Sequence, residues 1–201
     1  MTKVSMTNGA SSSATARVVF KEIVRGDLRK FEAAAHDSDT GGGARDLRFR
    51  PYEKFAAIFS VLFPDRIQKN RRRGGKRVST EVFGGRLYWN EGQRTMFAEA
   101  VFEPPTDVRG GEGRLTRVHT FPPLRKLPSP DGRFVLLLIQ DDSGRVWPQI
   151  VTDTSLQNEE WNEAVAETIL TCLNCEADRE LARAGYIDLT TNTRFCNACV
   201  L

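Results

Sequence analysis

The stretch "KNRRRGGKRVSTEVFGGRLYWNEGQR", residues 69–94, sets basic side chains and glycines beside a short aromatic run. Two alternating segments within it, VSTEVF and RLYWN (78–90), predict paired strands that turn at Gly84-Gly85, because paired glycines suit a tight hairpin. The overlapping run RIQKNRRRGGKR (66–77) holds seven Lys/Arg in twelve residues. It reads either as a polyanion surface or as a solvated loop beside an ordinary strand.

Working outward, LRFRP (47–51), TMFAEAVF (95–102), RLTRVHTF (114–121) and RVWPQIVT (145–152) read as strands. RFVLLLIQD (133–141) is apolar enough for a strand covered on both faces. In YEKFAAIFSVLFP (52–64), Phe55, Ile58, Phe59 and Leu62 recur at helical spacing and Pro64 ends the run. RVVFKEIVRGD (17–27) predicts a helical stripe stopping at Gly26; LRKFEAAA (28–35) fits helix or strand, and HDSDTGGGARD (36–46) is a loop. From Glu159 the chain predicts a helix with acids in its first turn and Gly185 as its stop. The fold class is therefore mostly β (α+β), with one embedded helix and a helical tail, in the size range of a barrel or sandwich. The expected divisions are a disordered N-terminus (1–16), a β body (17–155) and a tail (156–201).

The 201 residues suit one good-sized domain. FVLLLI (134–139) is far too short to span a bilayer and no signal segment opens the chain, so a soluble cytoplasmic protein without a membrane partner is expected. Net charge is only +3, but it is unevenly spread. Residues 41–126 carry 18 Lys/Arg against 9 Asp/Glu, a local +9, whereas 141–201 carry 4 against 11, a local −7. A basic body suggests a polyanion partner. Phosphate contacts from Arg71, Arg72, Arg73, Lys76 and Arg77 would supply affinity, with base discrimination coming from elsewhere. Two glycine-loop segments offer it: GGGARDLRFR, with Arg45, Asp46 and Arg48, and VRGGEGRLTRVH, with Arg109, Glu112, Arg114 and Arg117. The competing reading has these charges decorating turns and strand edges.

The order AHDSDTGGGARDLRF, a helix ending in LFP, RLYWN, RGGEGRLTR and FVLLLIQDDSGRVWPQIV resembles the N-terminal effector domain of EcoRII-type restriction endonucleases across residues 28–152. The resemblance implies a DNA-binding pseudobarrel that grips the major groove of double-stranded DNA with two arms, within a restriction-modification or phage-defence system. It implies an N-arm at Gly41–Phe49 and a C-arm from Asn90 to Arg117, the latter including Arg94. Where the family's N-arm carries aromatic and imidazole groups, this chain has arginine, so the recognised site need not agree. Cleavage does not carry over; a nuclease partner or a nuclease domain outside this chain is expected to supply it.

All four cysteines lie in the tail as Cys172-x-x-Cys175 and Cys196-x-x-Cys199. Two CxxC pairs suit a structural four-thiolate zinc site; in the alternative, Cys172 and Cys175 are small apolar residues on a helix face. A disulfide is not expected in an intracellular chain.

Catalytic patterns are sparse. His36 and His119 are the two histidines; PDRIQK (64–69) is a distorted echo of a metal-nuclease motif, and IQDDSGR lacks its lysine. A divergent metal-dependent nuclease using His36, Asp37 or Asp142 is one alternative function; a protein-interaction adaptor docking through the acidic tail is another. Tyr88 and Trp89 suit base stacking or core packing.

Overall fold

The computed structural model describes residues 17–24, 26–27, 46–73, 76–105, 111–118, 121, 132–158, 161–176 and 182–200. The expectations for 1–16, 28–35 and most of the 36–46 loop lie outside these residues. Among those described, one curled, half-barrel sheet dominates, with few helices. Its strands are β1 (Arg17–Ile23), β2 (Leu47–Phe49), β3 (Asp65–Arg73), β4 (Lys76–Glu91), β5 (Arg94–Glu103), β6 (Gly113–Thr116), β7 (Phe134–Gln140), β8 (Val146–Thr152), β9 (Ala184–Asp188) and β10 (Thr193–Cys196). The helices are α1 (Tyr52–Leu62), α2 (Asp153–Asn158) and α3 (Glu163–Asn174). Sheet order is β10-β9-β1-β7-β8-β4-β5-β6-β2, with β3 added to β4. Neighbours are antiparallel except β4 and β8, which meet in parallel at Leu87 and Val146.

The sheet is covered on both sides around β1 and β7. One apolar cluster joins Val19, Leu136 and Leu138 to Phe55, Phe59 and Leu62 of α1. The other joins Val18, Phe20, Val135 and Leu137 to Val165, Ile169 and Leu173 of α3. This two-sided cover explains FVLLLI, and it overturns the helix expected at 17–27. In RVVFKEI successive residues face opposite layers, Val18 and Phe20 toward α3 and Val19 and Ile23 toward the α1 side, while β7 and β9 hydrogen-bond its two edges. A short apolar run reads alike as buried strand or helix, and here the sheet partners decide.

The hairpin expected at Gly84-Gly85 is also overturned: β4 runs straight through both. A Cβ on Gly85 would sit 2.2 Å from Phe63 Cδ1, and one on Gly84 would sit 2.5 Å from Ile67 Cδ1. These glycines let side chains press onto the strand backbone. The chain reverses instead between β3 and β4, and at Gly92-Gln93, where Gly92 takes a φ of 61°.

The tail is helical only in part. Gly185 does not stop a helix; it lies in β9, where a Cβ would meet the Phe195 carbonyl oxygen at 2.1 Å and the Phe20 ring at 2.4 Å. Asn162 caps α3 by accepting a hydrogen bond from Val165 N–H at 3.2 Å. At its other end Arg133 donates to the Leu173 carbonyl and the Asn174 side chain, both at 2.7 Å. Among the described residues, no helix is long and apolar enough to cross a membrane.

Candidate functional site

The basic segment is a two-stranded ribbon. β3 and the first half of β4 pair from Asp65↔Gly84 to Arg73↔Lys76. Residues 65–70 and 77–79 are all exposed, and burial begins at Val82. Nine residues span about 30 Å at 3.3–3.4 Å each. Ser79 donates to the Gln68 side chain at 2.8 Å, and Arg66 lies 4.6 Å above the Phe83 ring. Arg71, Arg72 and Arg73 lie on β3 and Lys76 and Arg77 on β4, with Arg72 opposite Arg77.

At the foot of the ribbon an ion-pair network ties several predicted residues together. Lys69 Nζ reaches Glu103 at 2.6 Å, and Arg114 reaches the other Glu103 oxygen at 2.9 Å. Arg114 also faces Asp46 at 3.6 Å; Asp46 lies 3.9 Å from Arg48, and Arg48 donates to Glu112 at 2.8 Å. Arg50 completes the chain on Glu112 at 2.5 Å. The β2–β6 register sets Arg48 directly opposite Arg114, so the carboxylates keep two like charges together. Their side chains are 24% and 23% exposed. Among the described residues, four cations meet three carboxylates here.

The remaining predicted residues lie elsewhere. Arg117, at φ 69°, pairs with Glu99 at 2.9 Å on an exposed surface. Asn90 accepts from Thr95 at 3.2 Å beside the Gly92 turn, and Arg94 is exposed there. Arg45, Arg109, His36, Asp37 and His119 lie outside the described residues. Trp89 packs edge-on against Phe121 at 4.8 Å, as core packing requires. Tyr88 points to the opposite face, between Phe97 and Trp147. Sequence reasoning missed Glu103 and Arg50, and it placed Lys69 in the basic run without its carboxylate partner. The signal for Glu103 was an acid closing an apolar strand, which when buried must find cations.

The second cluster is the cysteines. Cys172 lies in the last turn of α3 with Cys175 just beyond; Cys196 ends β10 and Cys199 follows. Contrary to expectation, a disulfide joins Cys172 to Cys196, bonding α3 to β10. The sulfurs of Cys172, Cys196 and Cys199 lie within 4.8 Å of one another, close enough for a common metal ion. Cys175 contacts Cys199: burial pushes the Cys199 thiol up to about 11, the hydrogen bond with Cys175 adds to the rise, and Arg183 opposes it. Ala198 N–H points at Cys196 Sγ at 3.4 Å. Asn197 fixes this turn, its side chain accepting from Ala184 N–H at 2.9 Å and donating to the Ala182 carbonyl at 3.1 Å. Buried Arg183 donates to the Cys175 carbonyl at 3.2 Å. While Cys172 and Cys196 are bonded, Cys175 and Cys199 alone keep free thiols.

No protein-family model matches the chain, and neither the curated proteins nor the solved structures yield a match.

Proposed function

We propose that this chain is a double-stranded DNA-binding module whose β3–β4 ribbon lies in a groove of the duplex. The observation that carries this is the ribbon itself: an antiparallel strand pair exposed at residues 65–70 and 77–79, with Arg71, Arg72, Arg73, Lys76 and Arg77 toward its outer end. The major groove is wide enough for a two-stranded ribbon. Setting Arg72 opposite Arg77 and Arg73 opposite Lys76 is unfavourable in isolation, and phosphates relieve that repulsion while releasing counterions. Guarding a strand edge against aggregation takes far fewer cations than five in seven residues. Arg48 and Arg114, already held by carboxylates, steady the ribbon's foot, with Lys69 linking foot and ribbon. Arg45 and Arg109, outside the described residues, are the candidates for base contact. Such a module suits a restriction or phage-defence system in which another polypeptide or domain supplies the nuclease.

The tail carries one structural zinc ion on Cys172, Cys175, Cys196 and Cys199 when these are reduced. Support comes from the convergence of the Cys172, Cys196 and Cys199 sulfurs, with Cys175 in contact with Cys199, and from the donor set, since thiolates suit tetrahedral Zn2+. Chelating a reduced sample should then loosen residues 172–200, read by hydrogen exchange.

Fluorescence anisotropy on a short labelled duplex tests the DNA reading. Affinity should fall steeply with salt, with a log–log slope of about −0.9 per phosphate contact. The triple substitution R71A/R72A/R73A should cost at least about tenfold in affinity and flatten that slope by roughly 3. Salt-insensitive binding, or a variant indistinguishable from the parent, overturns the reading and favours a protein-docking role.

A further inference from the structure

The cysteine cluster sets one disulfide and two free thiols side by side. Cys172 and Cys196 are bonded to each other, yet Cys199 lies within ligand distance of both and Cys175 contacts Cys199. Going from four thiolates to this arrangement moves electrons among atoms that are already neighbours. We propose that the cluster is a redox-gated zinc site: reduced, its four thiolates hold Zn2+; oxidised by a hydroperoxide, it keeps the Cys172–Cys196 disulfide and the ion leaves. This rests on the zinc reading above.

Burial sets the order of events. Cys172 and Cys196 are buried, whereas Cys175 and Cys199 are partly exposed and line an open hollow with Trp161, Leu170 and Thr171. A hydroperoxide therefore meets Cys199 before the buried pair. The Cys199 thiolate attacks the peroxide O–O bond, taking one oxygen as a sulfenic acid, and the departing oxygen is protonated to water or an alcohol. The Cys196 thiolate displaces hydroxide from that sulfur, which takes a proton to become water, and the first disulfide forms. The Cys172 thiolate then attacks the Cys196 sulfur and expels Cys199 as thiolate. Two thiolates have lost two electrons, one peroxide has gained them, and Cys175 and Cys199 are left as thiols, too few to retain the ion.

Both states join α3 to β10, so the ion leaves without the tail letting go. Arg183 suits the reduced state as well, because a zinc ion with four thiolates carries a net double negative charge and a buried cation beside it offsets that charge. Asn197, bonded to the backbone at Ala182 and at Ala184 where β9 begins, holds the Cys196–Cys199 turn in place throughout.

The test begins with the whole chain reduced by a phosphine, desalted without oxygen and assayed for metal by mass spectrometry. One zinc per chain is expected; none sinks the zinc reading and the gating with it. The loaded protein is then titrated with hydrogen peroxide beside a chromogenic zinc indicator. Each equivalent should release one zinc, and peptide mapping should find Cys172 linked to Cys196. Zinc that stays bound through disulfide formation, or a final bond between other cysteines, overturns the gating while leaving the zinc reading intact. The C175S/C199S variant keeps the disulfide partners and should bind zinc at least tenfold more weakly. Hydrogen exchange separates misfolding from ligand loss: once diamide, which needs no sulfenic acid at Cys199, has joined Cys172 to Cys196 in both, the β9–β10 amides of parent and variant should be equally protected, and zinc retained by a folded variant also overturns the assignment.

Discussion

At Gly85 a single methyl group decides whether Phe63 can lie on the sheet. An added Cβ would lie 2.2 Å from Cδ1 and 2.5 Å from Cγ of a ring that is completely buried. The rigid ring has nowhere to turn, so G85A should lose about 1–3 kcal/mol in urea denaturation. The overlap at Gly84 is with the end of Ile67, a side chain 43% exposed and free to swing out. G84A should therefore cost less, and equal losses would refute the packing role given to Phe63. Three aspartates set the response to acid. Burial pushes Asp141 up, but hydrogen bonds from Ser143, Trp147 and Arg145 outweigh it and hold its carboxyl below the usual range. The same balance lowers Asp153, through Arg133 and Thr154, and Asp188, through Arg17, Thr190 and Thr191. A folded pKa below the unfolded value of about 3.9 gives stability that is full above that value and lost as pH falls through the folded one. The melting temperature should hold from neutrality to about pH 5 and drop below about pH 4, and Asp188→Asn should lower the plateau while flattening the drop.

The elements differ in how plainly their residues declare them. α1 was legible because Phe55, Phe59 and Leu62 repeat at helical spacing before Pro64, and all three are buried. β7 was legible because an unbroken apolar run bounded by turn residues fits a strand with both faces covered. β1 was not, since Val18, Val19, Phe20 and Ile23 suit a helix face equally and its partners lie more than 100 residues away, at Gln140 and Asp188. Gly84, Gly85 and Gly185 misled for a shared reason: glycine marks turns and close contacts alike, and only the neighbouring groups tell them apart. For the candidate site, the basic run and the two CxxC pairs were visible, but the ion-pair network was not, because Lys69, Glu103 and Arg114 meet only through strand register. That network gives an element-level prediction. Glu103 is 3% exposed and accepts from two cations, so Glu103→Gln leaves charge uncompensated and should cost about 3–5 kcal/mol. Lys69→Met, at the exposed rim, should cost less than about 1 kcal/mol. Comparable losses from both would contradict the burial argument.

Across the molecule, the uneven charge of the chain becomes an uneven charge of the sheet. β2 to β6 come from the basic part of the sequence, and β8 to β10 with α2 and α3 come from the acidic part. In the strand order these groups occupy opposite sides, meeting where β4 touches β8. A polyanion would be drawn to one side and turned away by the other, so on the DNA-binding proposal this division orients the encounter as well as speeding it. On the DNA-binding proposal, replacing Glu163 and Glu167 by Gln should raise the association rate for duplex DNA at low salt about twofold, without altering its dissociation at high salt; stopped-flow anisotropy reads both.

The placement of β1 between β7 and β9 also has a consequence at the ribosome. At 5–20 residues per second, the roughly 110 residues separating β1 from β7 take about 6–22 s to emerge. Throughout that interval a sticky segment with two bare edges waits for mates that have not been made. Nascent chains of this protein should accordingly recruit chaperones at Arg17–Ile23 and release them once translation has passed β7, leaving β9 to close the second edge.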